Sequence, residues 1–393
     1  MTAVVEAPGG VWAQVVGQAA VVAELRAAVE NPAAMTHAWL FTGPPGSGRS
    51  VAARAFAAAL QCPNGGDGTC HECRTVLGGT HADVHIVVPD GLSIGVAEAR
   101  ELVRVAGRAP SGGRWQVILV EDADRMSEAA ANAVLKMIEE PPPRTVVMLC
   151  APSLHPDDVP VTIRSRCRVV ALRTPPVDAI ADVLMSRDGV DPALAAWSAG
   201  ASGGHVGRAR RLARDENARL ARKAVLDVPL SLVSLAACLD AADDLVGSAQ
   251  EETDEATAGL DGPETEAMKA SLGYGARGPG MAAASKGAGA LKDLERRQKS
   301  RATRLGRDSF DRALVDLVGL YRDALVLDSA GGEPPMLTHP DRRADAQELA
   351  RRIGAEGALR RIDAILECRL AIEQNVKPRI ALEALTVALR LPA

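Results

Sequence analysis

The sequence predicts an α/β domain with a parallel sheet, followed by helices alone. Up to about residue 175, short apolar runs alternate with stretches of helical periodicity, as in a sheet whose two faces are covered by helices. Beyond that point the strand signals stop, and apolar residues recur only at helical spacing. The first apolar run also leads directly into a glycine-rich loop, a feature typical of phosphate-binding α/β domains.

The predicted elements follow in chain order. Strands are expected at residues 39–42, 83–88, 115–120, 145–150 and 168–172, and helices at 51–60, 96–106 and 128–140. A short helical bundle then runs from 177 to 225, and a longer helical region reaches residue 393. The predicted domains are 1–174, 175–228 and 229–393. Within the last, residues from about 247 to 289 are too polar and too rich in small residues to bury a core, which predicts a mobile insertion.

Composition excludes several classes of protein. A net charge of −5 argues against a protein that coats nucleic acid by itself, and three Phe, two Tyr and four Trp are too few for a base-stacking platform. The first residues lack the pattern of a secretory signal, and no apolar run is long enough to span a bilayer. We therefore expect a cytoplasmic protein without a membrane partner.

The glycine-rich loop covers residues 43–50, Gly-Pro-Pro-Gly-Ser-Gly-Arg-Ser. In a P-loop, backbone N–H groups surround the phosphates, a lysine reaches the β/γ-phosphates and a Ser/Thr hydroxyl holds Mg²⁺. The corresponding nucleotide-binding residues here are Gly43, Gly46, Gly48, Arg49 and Ser50. Arg49 stands at the lysine position, and its wide planar guanidinium cannot simply replace a compact ammonium. The loop is therefore predicted to be retained after its hydrolytic use was lost.

A second candidate segment is the acidic end of the strand near residue 120, where Glu121 and Asp122 follow four apolar residues. Acids at such a strand end can hold Mg²⁺ and orient the attacking water, as in a Walker B motif. The order is Glu-Asp rather than Asp-Glu, and misplacement by about 1 Å can cost about 100-fold in rate. The sequence thus predicts a degenerate nucleotide site and leaves open whether ATP still binds.

Two further segments carry a family resemblance. Residues 131–142 have the sequence A-N-A-V-L-K-M-I-E-E-P-P, and Ser165-Arg166-Cys167 follow the next strand. This set resembles the clamp-loader branch of the AAA+ ATPases, whose members share A-N-A-L-L-K-x-L-E-E-P-P and a Ser-Arg-Cys motif. Upstream, Val16-Gly17-Gln18 stand where the family has a segment that packs against adenine.

The resemblance implies a RecA-like AAA+ P-loop domain, a small helical lid domain and an all-α C-terminal collar domain through which five subunits form a ring. It implies the gamma/tau and delta clamp-loader subunits as partners, and the sliding clamp and primed DNA as partners through the complex. The chain would then belong to the DNA polymerase III holoenzyme, a DNA-directed DNA polymerase and hence a transferase (nucleotidyltransferase) complex.

Within the family, three departures resemble the non-hydrolysing member. These are Arg49, the Glu121-Asp122 order, and Gly207 where motor subunits have a second sensor arginine. Intrinsic ATPase activity is therefore not expected. The alternative is an ATP-hydrolysing AAA+ motor of the gamma/tau type or a helicase-like remodeller, which a lysine P-loop would favour. The resemblance further implies that Arg166 acts in trans as an arginine finger on the γ-phosphate of a neighbouring subunit. For Arg164 an ordinary surface arginine or ion pair is expected.

The clustered cysteines Cys62, Cys70 and Cys73 indicate metal ligation rather than a disulfide framework. The resembling family has four cysteines, spaced roughly C-x8-C-x2-C-x2-C, which implies a closed structural zinc site. If Cys70 and Cys73 match the last pair, the second position falls on Asp67. His71 and His81 compete as the fourth ligand, and a metal-free loop with reduced thiols is the alternative.

One basic stretch lies outside these motifs. Residues 292–307 contain seven Lys and Arg, which as a helix would present cations on several faces. A contact with DNA or an acidic partner is one interpretation, and a solvated helix with acidic neighbours is the other.

Overall fold

The computed structural model describes residues 9–89, 91–272, 281–329 and 337–392. The chain forms two compact units, Met1–Arg214 and Asp215–Ala393. The first unit thus contains the predicted α/β domain and most of the predicted lid, and the division into three domains stays a prediction. In the described ranges, no helix combines the length and the apolar character that crossing a bilayer requires.

The first unit is built on a sheet of five parallel strands. They are β1 (Ala38–Thr42), β2 (Val84–Val87), β3 (Gln116–Val120), β4 (Thr145–Ala151) and β5 (Arg168–Ala171), in the order β2-β3-β4-β1-β5. Every residue of β1, β3 and β4 is buried, as expected for strands covered on both faces. All five predicted strands are present, and the predicted α/β fold class is confirmed.

Nine helices accompany this sheet among the described residues of the first unit. They are α1 (Ala19–Glu30), α2 (Arg49–Gln61), α3 (His71–Leu77), α4 (Val96–Ala106), α5 (Glu128–Glu139), α6 (Val161–Arg164), α7 (Val177–Ser186), α8 (Pro192–Ala201) and α9 (Val206–Arg214). Strand alternation divides the core into two layers. Trp39 packs its ring at 4.9 Å from that of Phe56 on α2, whereas Leu40 contributes to the other cluster with residues of α4 and α5.

The connection that precedes β3 is held by one buried carboxylate. Asp83 accepts hydrogen bonds from the backbone N–H groups of Ser111, Gly112 and Gly113 at 2.7, 3.0 and 2.5 Å, and from the Ser111 hydroxyl at 2.7 Å. Burial raises the pKa of this carboxyl, but the hydrogen bonds outweigh burial and hold the pKa well below its usual range. Asp83 therefore fixes the entry into β3, the strand that Glu121 follows.

We expect Asp83→Asn to destabilise the protein by about 1–3 kcal/mol at neutral pH, because its amide NH₂ would meet N–H donors. Since the folded pKa is lowered, the stabilisation is present above the unfolded pKa of about 3.9 and is lost as pH falls below it. Urea unfolding at several pH values measures both effects. Exposed Asp182→Asn is the control, and equal stability of the two variants would contradict the assignment.

The second unit is all helical in its described residues. It contains α10 (Glu216–Ser231), α11 (Leu235–Ser271), α12 (Met281–Ser329), α13 (Arg343–Glu373) and α14 (Pro378–Leu389) around one apolar cluster. Helix α13 is interrupted at Gly354, where φ is 63° and ψ is 177°. The Asp328 carboxylate accepts a hydrogen bond from the Ala355 N–H at 2.9 Å and so caps the second half of α13.

The structure differs from the prediction of an insertion at about 247–289. Residues 247–271 continue α11, and α12 begins at Met281. The segment can pack as a helix because its buried side chains are small: Thr253 and Thr257 are buried although the segment as a whole is polar. Arg301 on α12 also pairs with Asp261 and Glu264 on α11 at 2.7 and 2.5 Å. Residues 273–280 lie outside the described residues, and the predicted mobility is not tested.

Candidate functional site

The glycine-rich loop lies between β1 and α2, at the carboxyl edge of the sheet where ligands of open α/β folds bind. Gly46 and Gly48 have φ values of 84° and 92°, which favour glycine. A Cβ atom at Gly46 would lie 2.6 Å from the Cβ of His205, in the segment before α9. The loop is therefore closely covered by the residues that lead into α9.

Arg49 begins α2, and its side chain turns back onto the loop. Its Nη1 donates a hydrogen bond to the Gly43 carbonyl oxygen at 3.0 Å. The next residue, Ser50, lies beside the thiol of Cys150, whose pKa is raised by burial. The guanidinium at the lysine position thus bonds the loop's own backbone.

Gln18, from the segment predicted to pack against adenine, joins the loop to the end of β5. Its side-chain amide donates to the carbonyl oxygens of Ser47 at 3.3 Å and Arg173 at 2.5 Å, and its Oε1 accepts from the Arg173 N–H at 3.3 Å. Gln18 is buried, so these bonds are shielded from water. The backbone of the loop is consequently fixed by the protein itself.

The acids that follow β3 lie at the same edge of the sheet, and each of them has an arginine partner. Arg54 on α2 donates from Nε to Oε1 of Glu121 at 2.6 Å. Asp122 lies 3.9 Å from Nε of Arg125, and burial raises the pKa of the neighbouring Asp124. Sequence reasoning identified Glu121 and Asp122 but missed Arg54, because its only signal is a position five residues after Arg49.

Arg166 is exposed on the loop between α6 and β5. Its Nε lies 2.7 Å from Oε1 of Glu139, and its Nη1 donates to the Thr162 carbonyl at 2.9 Å and the Ser165 hydroxyl at 3.2 Å. Glu139 belongs to the A-N-A-V-L-K-M-I-E-E-P-P run. The two motifs that carry the family resemblance are therefore joined by an ion pair at the surface.

Arg164 is placed differently. It is half-buried, and its Nη1 donates to the Leu154 carbonyl oxygen at 3.1 Å. This contact ties α6 to the loop after β4. Of the two arginines, Arg164 is thus bonded to the backbone in a half-buried position, whereas Arg166 is exposed.

The cysteine cluster brings four candidate ligands together between α2 and α3. One ligand atom from each of Cys62, Asp67, Cys70 and Cys73 lies within 4.8 Å of the other three. The sulfurs of Cys62 and Cys70 are 3.6 Å apart. Tetrahedral zinc with Zn–S bonds of about 2.3 Å needs sulfur separations of about 3.8 Å. The arrangement fits a closed site with four protein ligands.

Backbone hydrogen bonds surround these ligands. The N–H groups of Asn64 and Cys73 donate to the sulfurs of Cys62 and Cys70, both at 3.3 Å. Burial raises the pKa of the Cys62 thiol, but backbone donors outweigh it and lower that pKa, whereas burial raises the pKa of Cys73. Hydrogen bonds from Asn64 and from backbone N–H groups hold the pKa of the Asp67 carboxyl well below its usual range. Asp67 is therefore an anion at neutral pH.

The two histidines proposed as alternative ligands lie outside this cluster. Nε2 of His81 is 2.6 Å from the Glu72 carboxylate, and its Nδ1 accepts from the Asp83 N–H at 3.0 Å. Both ring nitrogens of His81 are thus engaged elsewhere. His71 is exposed at the start of α3 and does not belong to the group of ligand atoms.

The N-terminal segment docks on the loop that carries these ligands. The Val11 N–H donates to the Gly66 carbonyl at 3.0 Å, and Nε1 of the buried Trp12 donates to the Gly65 carbonyl at 3.3 Å. A Cβ atom at Gly10 would lie 2.1 Å from the Gly66 oxygen. Such close backbone contact requires glycine at residue 10.

Comparison with known proteins places the first unit. Residues 17–176 match the family described as "DNA polymerase III, delta subunit". The chain is 32% identical over 195 residues to DNA polymerase III subunit delta' of Bacillus subtilis, covering 49% of this chain and 58% of that protein. It is 40% identical over 138 residues to the delta' subunit of Pseudomonas aeruginosa, covering 33% and 41%. It is 36% identical over 160 residues to the gamma/tau subunit of Mycobacterium tuberculosis strain H37Rv, covering 39% and 27%.

The chain thus spans less than two thirds of the length of each of these relatives. The matched segment contains the glycine-rich loop, the acids after β3, the cysteine cluster and Arg166. The resemblance to clamp-loader proteins predicted from the sequence is confirmed over residues 17–176, which are similar to the DNA polymerase III delta-subunit family and to delta' subunits.

Proposed function

We propose that this chain is a delta'-type clamp-loader subunit that acts in the cytoplasm. It assembles with gamma/tau and delta subunits and helps to place the sliding clamp on primed DNA, without hydrolysing ATP itself. The proposal rests on the contacts that the charged side chains of the nucleotide site make within this chain. Arg49 bonds the Gly43 carbonyl, and Arg54 pairs with Glu121, so the groups that would stabilise the γ-phosphate and orient water serve the fold.

The contribution of this subunit to catalysis is made by Arg166. Its guanidinium is exposed and oriented by Glu139 and by the Thr162 carbonyl. An arginine directed at the γ-phosphate of an adjacent subunit stabilises charge that develops in the transition state. Arg166 would then act in trans, and the active site that it completes would belong to the neighbour.

The gamma/tau relatives support a second reading, an ATP-hydrolysing motor. Such a motor needs a free carboxylate to orient the attacking water and a compact cation on the phosphates. The Arg54–Glu121 pair and the Arg49–Gly43 bond weigh against both requirements. We therefore favour the non-hydrolysing assignment.

We further propose that Cys62, Asp67, Cys70 and Cys73 hold a structural zinc ion. Zinc would supply a crosslink between the end of α2 and the start of α3. With four protein ligands, no open coordination position would remain for catalysis.

We expect the isolated chain to turn over ATP no faster than a buffer control. Three groups that normally supply transition-state charge or position water are altered. Arg49 replaces the P-loop lysine, Glu121 is paired with Arg54, and Gly207 replaces the second sensor arginine. Steady-state phosphate release with Mg²⁺ measures this. Arg49→Lys is a useful companion, since the Arg54–Glu121 pair should keep that variant inactive too. Mg²⁺-dependent hydrolysis that persists after repurification and disappears in Arg49→Ala would show an active motor instead.

Assembly is tested separately by a native pull-down with the full chain as bait. Gamma/tau and delta subunits should be recovered with it, together with the sliding clamp when ATP is present. Recovery of none of these from a lysate that contains them would refute the proposed assembly.

A further inference from the structure

The second unit contains an arginine-lined cleft that the proposed function does not use. The cleft has a volume of about 480 Å³, within the size range of ligand sites, and its lining comes from α13 and from the end of α14 onward. Four of the lining residues are arginines and four are apolar: Arg352, Arg360, Arg361, Arg390, Ile353, Val387, Leu391 and Pro392. None of them belongs to the segment that matches the family.

The break in α13 creates this arrangement. Gly354 leaves the helical conformation, so Arg352 ends one helical half while Arg360 and Arg361 lie on the next. Arg361 donates to the carbonyl oxygens of Gly357, Leu389 and Arg390 at 3.1, 3.1 and 2.6 Å. These bonds cap the end of α14 and fix one side of the cleft.

The positive charge of the cleft is only partly neutralised. The bonds of Arg361 go to neutral carbonyls, and Arg390 has no ion pair within the part of the chain that the structure describes. Arg352 and Arg360 form pairs with Glu348 and Glu356 at 2.7 and 2.6 Å, one helical turn away. Exposed pairs of this kind are weak and readily exchanged. In the described residues, no carboxylate lines the cleft.

The lining selects the class of ligand. Guanidinium groups bind carboxylates and phosphates with paired hydrogen bonds. The rest of the lining is aliphatic, whereas single-stranded nucleic acid is usually held by aromatic stacking, which no lining residue supplies. A lining that combines aliphatic side chains with arginines is instead complementary to a peptide with a leucine-like side chain between acidic residues.

We propose that this cleft binds a short acidic peptide segment of a partner protein, with an apolar side chain of that segment on Ile353 and Val387. Arg360 and Arg390 bind its carboxylates. Arg361 keeps the cleft in shape through its bonds to the end of α14.

The test is fluorescence anisotropy with the full chain and a labelled hexapeptide of alternating glutamate and leucine. The double variant Arg360→Ala/Arg390→Ala should weaken peptide binding by at least about tenfold. Arg343→Ala, which removes an exposed arginine of the same unit outside the cleft, should leave it unchanged. Circular dichroism of each variant checks that the fold is kept.

Two further probes separate peptide recognition from general anion binding. A hexapeptide with glutamine in place of glutamate should bind at least about tenfold more weakly, and a labelled single-stranded oligonucleotide should not compete. The proposal is overturned by absence of peptide binding at about 1 mM, by equal binding in the double variant, or by a preference for the oligonucleotide.

Discussion

Replacing Arg166 with alanine will lower the ATPase rate of a reconstituted clamp loader by at least about tenfold at the adjacent site, because a trans arginine stabilises charge only in the transition state. The measurement is ATP turnover stimulated by DNA and clamp, in a complex shown to contain the variant. Assembly should persist, since the side chain is exposed and its loss removes a surface pair with Glu139. Turnover rather than complex formation should therefore change.

Arg164→Ala is the matched control, two residues away in the same segment. That side chain bonds the Leu154 carbonyl, so its loss should reduce stability modestly and leave turnover per assembled complex close to normal. Glu139→Gln keeps the charge of Arg166 but weakens the ion pair that orients its side chain, so this variant tests the orientation of Arg166 separately from its charge. If Arg166→Ala and Arg164→Ala both leave ATPase and clamp loading unchanged, the Ser-Arg-Cys motif of this chain serves packing alone.

Metal analysis should find about one zinc per chain in protein prepared without chelators, and Cys73→Ser should release it and expose the loop around residues 62–73 to proteolysis. Most of the bound zinc should be lost, because Cys73 is buried and its replacement removes one of the four proposed ligands. Cys368→Ser is the matched control: it changes a buried cysteine of the second unit and should retain the metal.

Asp67→Cys tests the fourth ligand directly. It restores four thiolates, and zinc should be retained or bound more tightly; His71→Ala should have no effect on zinc content. Zinc-free protein from such preparations would favour the metal-free loop. If an Asp67→Ala variant retains zinc, the fourth ligand is a residue other than Asp67.

The strands of the first unit could be predicted because their apolar runs are nearly continuous, which is the pattern of strands buried on both faces. The second unit was harder. Residues from about 247 to 289 were predicted as a mobile insertion because they are polar and rich in small residues. The part up to residue 271 nevertheless belongs to α11, which has alanine and threonine on its buried stripe and ion pairs to α12. Such pairs join residues about forty positions apart, and local composition does not report them.

The candidate site shows the same division. Local motifs predicted Arg49, Glu121 and the cysteines as candidate site residues, and the family resemblance added Arg166, because each of these motifs is local in sequence. Their partners were missed, since the contacts of Glu121 with Arg54 and of Arg166 with Glu139 depend on how distant segments meet. The exclusion of His81 likewise required its bond to Glu72.

The docking of the N-terminal segment on the cysteine loop has an evolutionary consequence. Gly65, Gly66 and Gly68 all have positive φ, and a Cβ atom at Gly68 would lie 3.1 Å from the backbone of Gly10. A loop so rich in glycine loses much conformational entropy on folding, which a bound metal would offset. Natural relatives that lose the cysteines should therefore also lose these glycines and rebuild the contact with Trp12. Glycines and cysteines should be inherited, or discarded, together.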